Sequence, residues 1–475
     1  MNGVALGLII YVVVMLLIGL YTYRFMHTID DFLLGGRKLG ALVIAFSERA
    51  SGESAWFLLG LPGFAYAMGM SVFWTVVGVA LGIFVSWTVI ARRLRWETER
   101  YGALTIPDYL EARFGDRSRL VRLISTAIIL LFYLFYLGAQ IIGAGKVLNA
   151  TFGMDPVLGM VIGAGVVALY TMAGGFTAVA LTDLVQGVIM LFAAVFLPIL
   201  GIMAIGGVGE MFARLKEIDP NLLSVLGGKA GRDLFVGTIL GGMGVGLGYM
   251  GQPHLLTRYM AIRSTHEVRK GVLIAMLWVL LAYWGAPFIG IVGKAYFGPE
   301  LADAEKVMPL LATAVLPPVV AGFVIAGAIA AMMSTADSQL LVVTSAVVED
   351  IYRKLLNREL SQERLVSFSR WTTLAVTLLA LVLALFAKNL IYWLVLYAWS
   401  GLGASFGPPI LLALLWKGTN RWGALAGMLT GTFTTVLWYN VPALKGTVYE
   451  LIPAFAFSLI ATYLVSLLTR KGGSA

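Results

Sequence analysis

Most of the chain consists of long apolar stretches joined by short polar segments. Roughly thirteen stretches, near 3–24, 40–68, 71–91, 120–147, 157–173, 177–205, 234–253, 271–293, 317–350, 365–387, 390–415, 421–439 and 450–469, approach or exceed the length of a membrane span. A helix needs about 20 apolar residues to cross the hydrocarbon core. The pattern predicts an all-α polytopic membrane protein with about 13 transmembrane helices. The first stretch reads as a span and not a cleaved signal, since no basic segment precedes it and no small-residue cleavage site follows. The pieces between spans, the longest near 92–119 and 206–233, are too short to fold as separate domains.

Four interruptions carry the candidate chemistry. Within 317–350 lies Ser334-Thr335-Ala336-Asp337-Ser338-Gln339. Ser334 and Ser338 are i,i+4, and Ser334–Asp337 and Thr335–Ser338 are i,i+3, so their oxygens converge on one helix side. Polar groups at membrane depth are costly and by default mark an ion or substrate path. Hydroxyls and a carboxylate are hard oxygen ligands, which suit a hard cation. Ser334 and Thr335 alone could instead bond back to the preceding turn.

The second stretch contains Ser47-Glu48-Arg49-Ala50-Ser51-Gly52-Glu53-Ser54, and the seventh contains six glycines between Gly241 and Gly251 before Gln252-Pro253. Broken transporter helices have this composition, because unwound backbone offers carbonyls to cations and N–H groups to anions. The glycines equally suit close helix packing, and Arg49 with Glu53 at i,i+4 can form a neutralised structural pair. The two interrupted stretches are five spans apart, the spacing of two five-helix repeats that each begin with a broken helix. In the sixth stretch, Asp183 and Gln186 share a face. A buried carboxylate needs a partner from elsewhere, and Asp337 and Ser338 are candidates for its neighbourhood. Tyr136 and Gln140 in the fourth stretch are placed to face a cavity, and Tyr133 to pack.

Composition narrows the function. Of 475 residues, 60% are hydrophobic and 12% charged, with a mean hydropathy of +0.89. With the N-terminus outside, 24 of the 34 Lys and Arg residues fall on inner segments, Arg258 among them; nine fall outside and Arg49 lies within a span. The net charge of +9 is therefore a topology signal, and no basic soluble face suits a nucleic acid. The absence of cysteine excludes disulfides, thiolate metal sites and cysteine nucleophiles. No phosphate-binding loop motif appears, so uphill movement must draw on an ion gradient. His27, His254 and His266, all near loops, form no ligand-spaced pair, and the chain does not read as an enzyme.

Several segments are similar to the sodium/solute symporter family, above all its bacterial sodium/proline branch. They are Trp56-Phe57-Leu58-Leu59-Gly60-Leu61-Pro62-Gly63, Tyr170-Thr171 through Gly174-Gly175-Phe176 to Thr182-Asp183, Gly246-Leu247-Gly248-Tyr249-Met250-Gly251-Gln252-Pro253-His254, and Ser334-Thr335 through Gln339-Leu340-Leu341 to Glu349-Asp350-Ile351-Tyr352. The resemblance covers nearly the whole chain in order. It implies a LeuT-type inverted repeat of five plus five helices. An extra N-terminal helix and inner loop (1–39) would precede the first repeat (40–205), the second repeat would span 234–416, and two C-terminal helices would fill 417–475.

The resemblance further implies a sodium site of the Ala50, Glu53 and Ala331 carbonyls with the Ser334 and Thr335 hydroxyls. A second cation position, seen in some members, maps to Asp183, Ser334, Asp337 and Ser338. The solute would lie against Ser54, Trp56, Gly60, Tyr136, Tyr249, Gln252 and Pro253. Relative to the proline branch, Gly52 replaces an acidic residue and Glu53 carries the carboxylate one position later. Glu48 and Arg49 replace small residues, and Val245 replaces a tryptophan associated with proline binding. The function expected is secondary active symport in the inner (plasma) membrane, with a cytoplasmic C-terminus. Sodium inflow would drive uptake of a small solute, proline or a related amino acid. The residues leave one alternative: a proton-coupled or sodium-independent transporter of another small carboxylate-bearing solute, with Glu53, Asp183 or Asp337 titrating. The partners are the solute and the lipid bilayer; no oligomeric state is read from the sequence.

Overall fold

Apolar runs without β-branched alternation and with Gly or Pro only at special positions favour helix, the one open-chain structure that satisfies its own backbone in lipid. The computed structural model describes residues 3–386 and 391–470, and throughout these the predicted stretches are helical. Lys388 and Lys471, counted in the charge balance, lie outside the described residues. Ten helices among the described residues are long and apolar enough to cross a bilayer. Two of the ten are composite. Ala41–Arg100 is interrupted at Ser54 and Gly69, and Pro156–Ile205 turns at Gly175, whose φ of 51° places it in the left-handed region that glycine adopts readily.

Polar caps set several boundaries. Thr28 and Asp31 form a reciprocal capping box before Ile29–Leu34. The Thr105 hydroxyl accepts the Asp108 N–H at 3.0 Å, and Asn420 accepts from Trp422 and Gly423, each at 3.1 Å. The polar-interrupted helix Pro318–Ser345 is the central post: every residue from Ala330 to Ser345 is buried, whereas Gly3–Tyr23 buries only one face. It packs against Gly3–Tyr23, Ala41–Ala55, Leu120–Phe152 and Pro156–Ile205. Exposed Leu17, Leu20, Phe196 and Phe433 give the outer surface its apolar character.

The glycine-rich stretch serves both purposes that its sequence allowed. A Cβ on Gly246 would collide with the Gly78 carbonyl, and one on Gly251 with the backbone at Gly403 and Gly407, so these glycines admit neighbouring helices at backbone contact. The interruption follows at Gln252 (φ −81°, ψ 110°), and Pro253 opens a new helix, Pro253–Ala261. This corrects the sequence reading. The stretch does not end at Pro253, and Arg258, assigned to an inner loop, is only 1% exposed within that second half-helix. His254, also placed near a loop, is fully buried. Both could be mistaken for loop residues because a nine-residue amphipathic half-helix is too short to register as a span.

At one end of the bundle, Arg122 binds Asp108, Glu111 and Asp350, each at 2.6 Å. This joins Ile106–Phe114, Leu120–Phe152 and the helical 346–355 segment through one buried guanidinium. Three charge-assisted bonds satisfy the planar fork of an arginine far better than one exposed pair would.

Candidate cation and solute site

The first interruption is a backbone break at Ser54 (φ 56°, ψ −175°) inside Ala41–Ala55. A side chain in that region is strained by order 1–3 kcal/mol unless its surroundings hold it. Here they do. Gln140 accepts the Ala55 N–H at 2.8 Å, and the Ser54 hydroxyl accepts the Trp56 N–H at 3.1 Å, so donors freed by the break are capped.

Just before the break, the polar run of Pro318–Ser345 meets the same helix. The Ser334 hydroxyl donates to the Ala50 carbonyl at 2.9 Å and lies 3.2 Å from the Ala331 carbonyl. Thr335 reaches the Ser51 carbonyl at 2.9 Å and the Ala331 carbonyl at 3.1 Å. Four oxygens named from the sequence, on Ala50, Ala331, Ser334 and Thr335, thus gather between two helices far apart in the chain. The Ser51 carbonyl joins them. The Glu53 carbonyl instead accepts the Trp56 N–H, and among the described residues no bond ties it to this set. All the gathered donors are hard, neutral oxygens, and they fit a small monovalent cation.

Asp183 lies beside this group. Its Oδ2 accepts from Ser47 at 2.6 Å and Ser51 at 3.0 Å, while the Ser51 and Ser338 hydroxyls are 2.9 Å apart. Ser338 also binds the Ser334 carbonyl at 2.7 Å and Asp337 at 3.0 Å. The other Asp337 oxygen accepts from Tyr170 at 2.5 Å. Asp183, Ser334, Asp337 and Ser338 are therefore near neighbours, but the partner that Asp183 required is Arg258. Its guanidinium stands 3.2 Å from Asp183 Oδ2 and also bonds the Ser338 hydroxyl, Ser47 and the His254 carbonyl.

Glu48, Arg49 and Glu53 form a separate buried group. Arg49 bonds both Glu48 oxygens and reaches Glu53 Oε1 at 3.2 Å. Trp87 and Tyr259 complete Glu48 at 2.8 and 3.1 Å, and Tyr283 donates to Glu53. Arg49 thus faces two carboxylates and the Tyr249 ring, and its charge is neutralised locally instead of being directed at the Ala50 oxygens.

A narrow, nearly closed cavity lies against the break, lined by Gly52, Ser54, Trp56, Tyr136, Val245, Tyr249, Val395, Leu396 and Trp399. Of the solute residues expected, Ser54, Trp56, Tyr136 and Tyr249 line it, whereas Gly60, Gln252 and Pro253 do not. Gln252 donates to the Trp399 carbonyl at 2.9 Å, which positions the wall behind the cavity. Pro253 lines a different cavity, of about 410 Å3, together with Thr105, Arg258, Ser338 and Asp350. On the other side, Val245 and Leu396 also line a vestibule of about 1170 Å3. Two side chains are shared between the cavity at the break and the vestibule; no lining residue is shared between the cavity at the break and the Pro253 cavity.

A model of the sodium:solute symporter family matches residues 32–431. The chain belongs to that family. Over 465 residues it is 43% identical to the high-affinity proline transporter PutP of Bacillus subtilis (strain 168), with 97% of each chain covered. To the sodium/proline symporter of Escherichia coli (strain K12) it is 40% identical over 474 residues, covering 98% of this chain and 93% of that one. A Na+-coupled sialic acid symporter, solved in a substrate-bound outward-open state, has the same fold with a TM-score of 0.82 at 20% identity, all of both chains being covered. Mhp1, a nucleobase-cation-symport-1 family transporter in a closed conformation, gives 0.57 at 14% identity, covering 93% of this chain and 96% of that one.

For this symporter, sequence reasoning missed Ser47, Ser51, His254, Arg258, Tyr170 and Trp399. His254 binds Tyr133 at 2.8 Å and faces the Ser51 carbonyl at 3.2 Å. Tyr133 is therefore a bonded strut and not simple packing. Trp399 packs edge-on against Tyr249 at 4.6 Å. One signal was available for Arg258: Asp183 demanded a cation, and Arg258 follows the Gln252-Pro253 interruption by one and a half helical turns.

Proposed function

We propose that this protein is a secondary active symporter of the plasma membrane that couples inward sodium flow to uptake of proline. The bond between Ser334 and the Ala50 carbonyl carries the reading. It brings two non-adjacent, polar-interrupted helices together about one turn before the break in one of them, where a cation can report its presence to both. A sodium ion held there would be bound by the Ala50 and Ala331 carbonyls and the Ser334 and Thr335 hydroxyls. Ser54 extends from the same break into the solute cavity. Ordering the break for one ligand therefore favours the other, and the effect must be reciprocal. Proline suits a small cavity walled by Trp56, Tyr136, Tyr249 and Trp399 because its ring is compact and apolar, and the proline-transporting relatives support that choice.

In this reading the chain crosses the bilayer thirteen times, with the N-terminus outside and the C-terminus in the cytoplasm. Repeats 40–205 and 234–416 each open with a broken helix, preceded by 1–39 and followed by 417–475. The vestibule then faces outward, separated from solute by the thin wall of Val245 and Leu396. Inward access requires separating the His254, Tyr133 and Arg258 contacts on the opposite side. The membrane potential contributes, since one charge crossing 100 mV is worth about 2.3 kcal/mol. Proton coupling is the weaker reading. Glu53 is held by Arg49 and Tyr283, Asp183 by Arg258 and two serines, and Asp337 by Tyr170 and Ser338.

The test is labelled proline uptake into proteoliposomes with and without an inward sodium gradient. Accumulation should require sodium. Uptake that follows an imposed pH gradient and ignores sodium would overturn the assignment.

A further inference from the structure

The Asp183, Ser334, Asp337 and Ser338 position has the oxygens for a second cation, but two of them are already engaged by a positive charge from the chain. Arg258 touches Asp183 Oδ2 and the Ser338 hydroxyl at once, and Ser47 and the His254 carbonyl fix its remaining edges. Its face lies over the Phe176 ring at 5.2 Å. Four helical segments contribute to this cradle: Ala41–Ala55, Pro156–Ile205, Pro253–Ala261 and Pro318–Ser345. Of Asp183, only Oδ1 has no hydrogen-bond partner among the described residues. Asp337 has both oxygens engaged, by Ser338 and Tyr170. A hard cation needs several oxygens together, and what Arg258 leaves falls short of such a shell.

We propose that Arg258 is a tethered cation that occupies the second cation position, so that this symporter binds a single sodium ion per cycle, at the Ala50–Ser334 oxygens. Arg258 is a positioning residue: it touches neither the solute cavity nor the first set of oxygens. Guanidinium suits the role because it is always charged and satisfies several oxygens in one plane. It is also mounted on the second half of a broken helix, so the pairing is made or lost as that half-helix moves. The inference rests on the sodium-symport reading, but its test counts ions and does not depend on solute flux.

Equilibrium binding of radioactive sodium to the purified full-length protein should give one site per chain. Arg258→Gln should give two, by freeing Asp183 Oδ2 and the Ser338 hydroxyl, whereas Arg258→Lys should stay at one. Asp183→Asn should also keep one site, because Asp183 is not a sodium ligand while Arg258 holds it. Two sites in the unaltered protein, or a site lost in Asp183→Asn, would sink the proposal even if Arg258→Gln proved unable to fold. A single site in Arg258→Gln that still binds sodium through Ser334 would sink it as well. In proteoliposomes, double-label flux should give one sodium per proline for the unaltered protein. Absence of any sodium-dependent proline uptake would count against the transport reading alone, leaving the site count to judge Arg258.

Discussion

Two buried ionic groups near the break have the same formal composition, two carboxylates and one arginine, yet they are built differently. Glu48, Arg49 and Glu53 come from less than two turns of one helix and keep their spacing however the helices around them move. Asp183, Arg258 and Asp337 come from three different helices, with serines from a fourth. The first group is saturated by Trp87, Tyr259 and Tyr283. The second retains one carboxylate oxygen, Asp183 Oδ1, that has no hydrogen-bond partner among the described residues. A charge network confined to one helix can brace a structure but carries little information about helix positions. One shared among four helices changes whenever any of them shifts, and this property is what a transport cycle requires.

The sharpest way to break that contrast is to remove the arginine of the braced group. Arg49→Leu leaves Glu48 and Glu53 buried together without a cation, and removal of one partner from a buried pair typically costs about 3–5 kcal/mol. We expect a large fall in the thermal midpoint of the purified protein and poor recovery from membranes. If Arg49→Leu were stable and altered only sodium dependence, the bracing role would be wrong.

These differences also explain what the sequence could reveal. Membrane spans were legible because each satisfies a length set by the bilayer, and the breaks because Gly52-Glu53-Ser54 and Gln252-Pro253 contradict the apolar pattern locally. The pairing of Arg49 with Glu53 was legible for the same reason: helical spacing alone places them together. Ser334 and Thr335 pointed to a cation through their chemistry, and their meeting with Ala50 then followed from the family resemblance. Arg258 was not legible as a buried partner. Its place depends on a half-helix of nine residues and on three neighbours supplied by distant segments. The wall of the cavity at the break was similarly hidden. Gly60, Gln252 and Pro253 are close in sequence to wall residues but do not line the cavity, and Trp399 joins the wall by packing against Tyr249 and donating to the Val245 carbonyl.

A gentler test of the braced group is Tyr283→Phe, which deletes the hydroxyl that donates to Glu53 while keeping the ring against Phe57. A hydrogen bond to a charged group contributes about 1.5–3 kcal/mol. The expected result is a stability loss of roughly 2 kcal/mol, read as a lower thermal midpoint, with sodium half-saturation nearly unchanged. Ser334→Ala should do the reverse. It removes one oxygen from the Ala50–Ala331 set, and we expect about a tenfold rise in the sodium concentration for half-maximal uptake, equivalent to about 1.4 kcal/mol, with expression retained. Equal sodium half-saturation in Ser334→Ala and the unaltered protein would remove that hydroxyl from the ion's shell.

The smallest effect is expected at the break that separates the two groups from the solute cavity. Ser54 holds a left-handed φ of 56°, a strain that glycine would relieve by about 1 kcal/mol. The substitution also deletes the hydroxyl that accepts the Trp56 N–H, a loss of similar size for a typical hydrogen bond. The two changes oppose each other, so Ser54→Gly should leave stability within about 1 kcal/mol of the unaltered protein and the thermal midpoint nearly unmoved. Sodium half-saturation should also hold, because the Ala50 and Ser51 carbonyls lie in the helix before the break and the Ala331 carbonyl on another helix. Proline half-saturation should weaken several-fold, because Ser54 lines the cavity. A stability loss approaching that of Arg49→Leu would show instead that the break is part of the rigid brace. The boundary between fixed and movable parts would then have to lie beyond Ser54, toward Gly60.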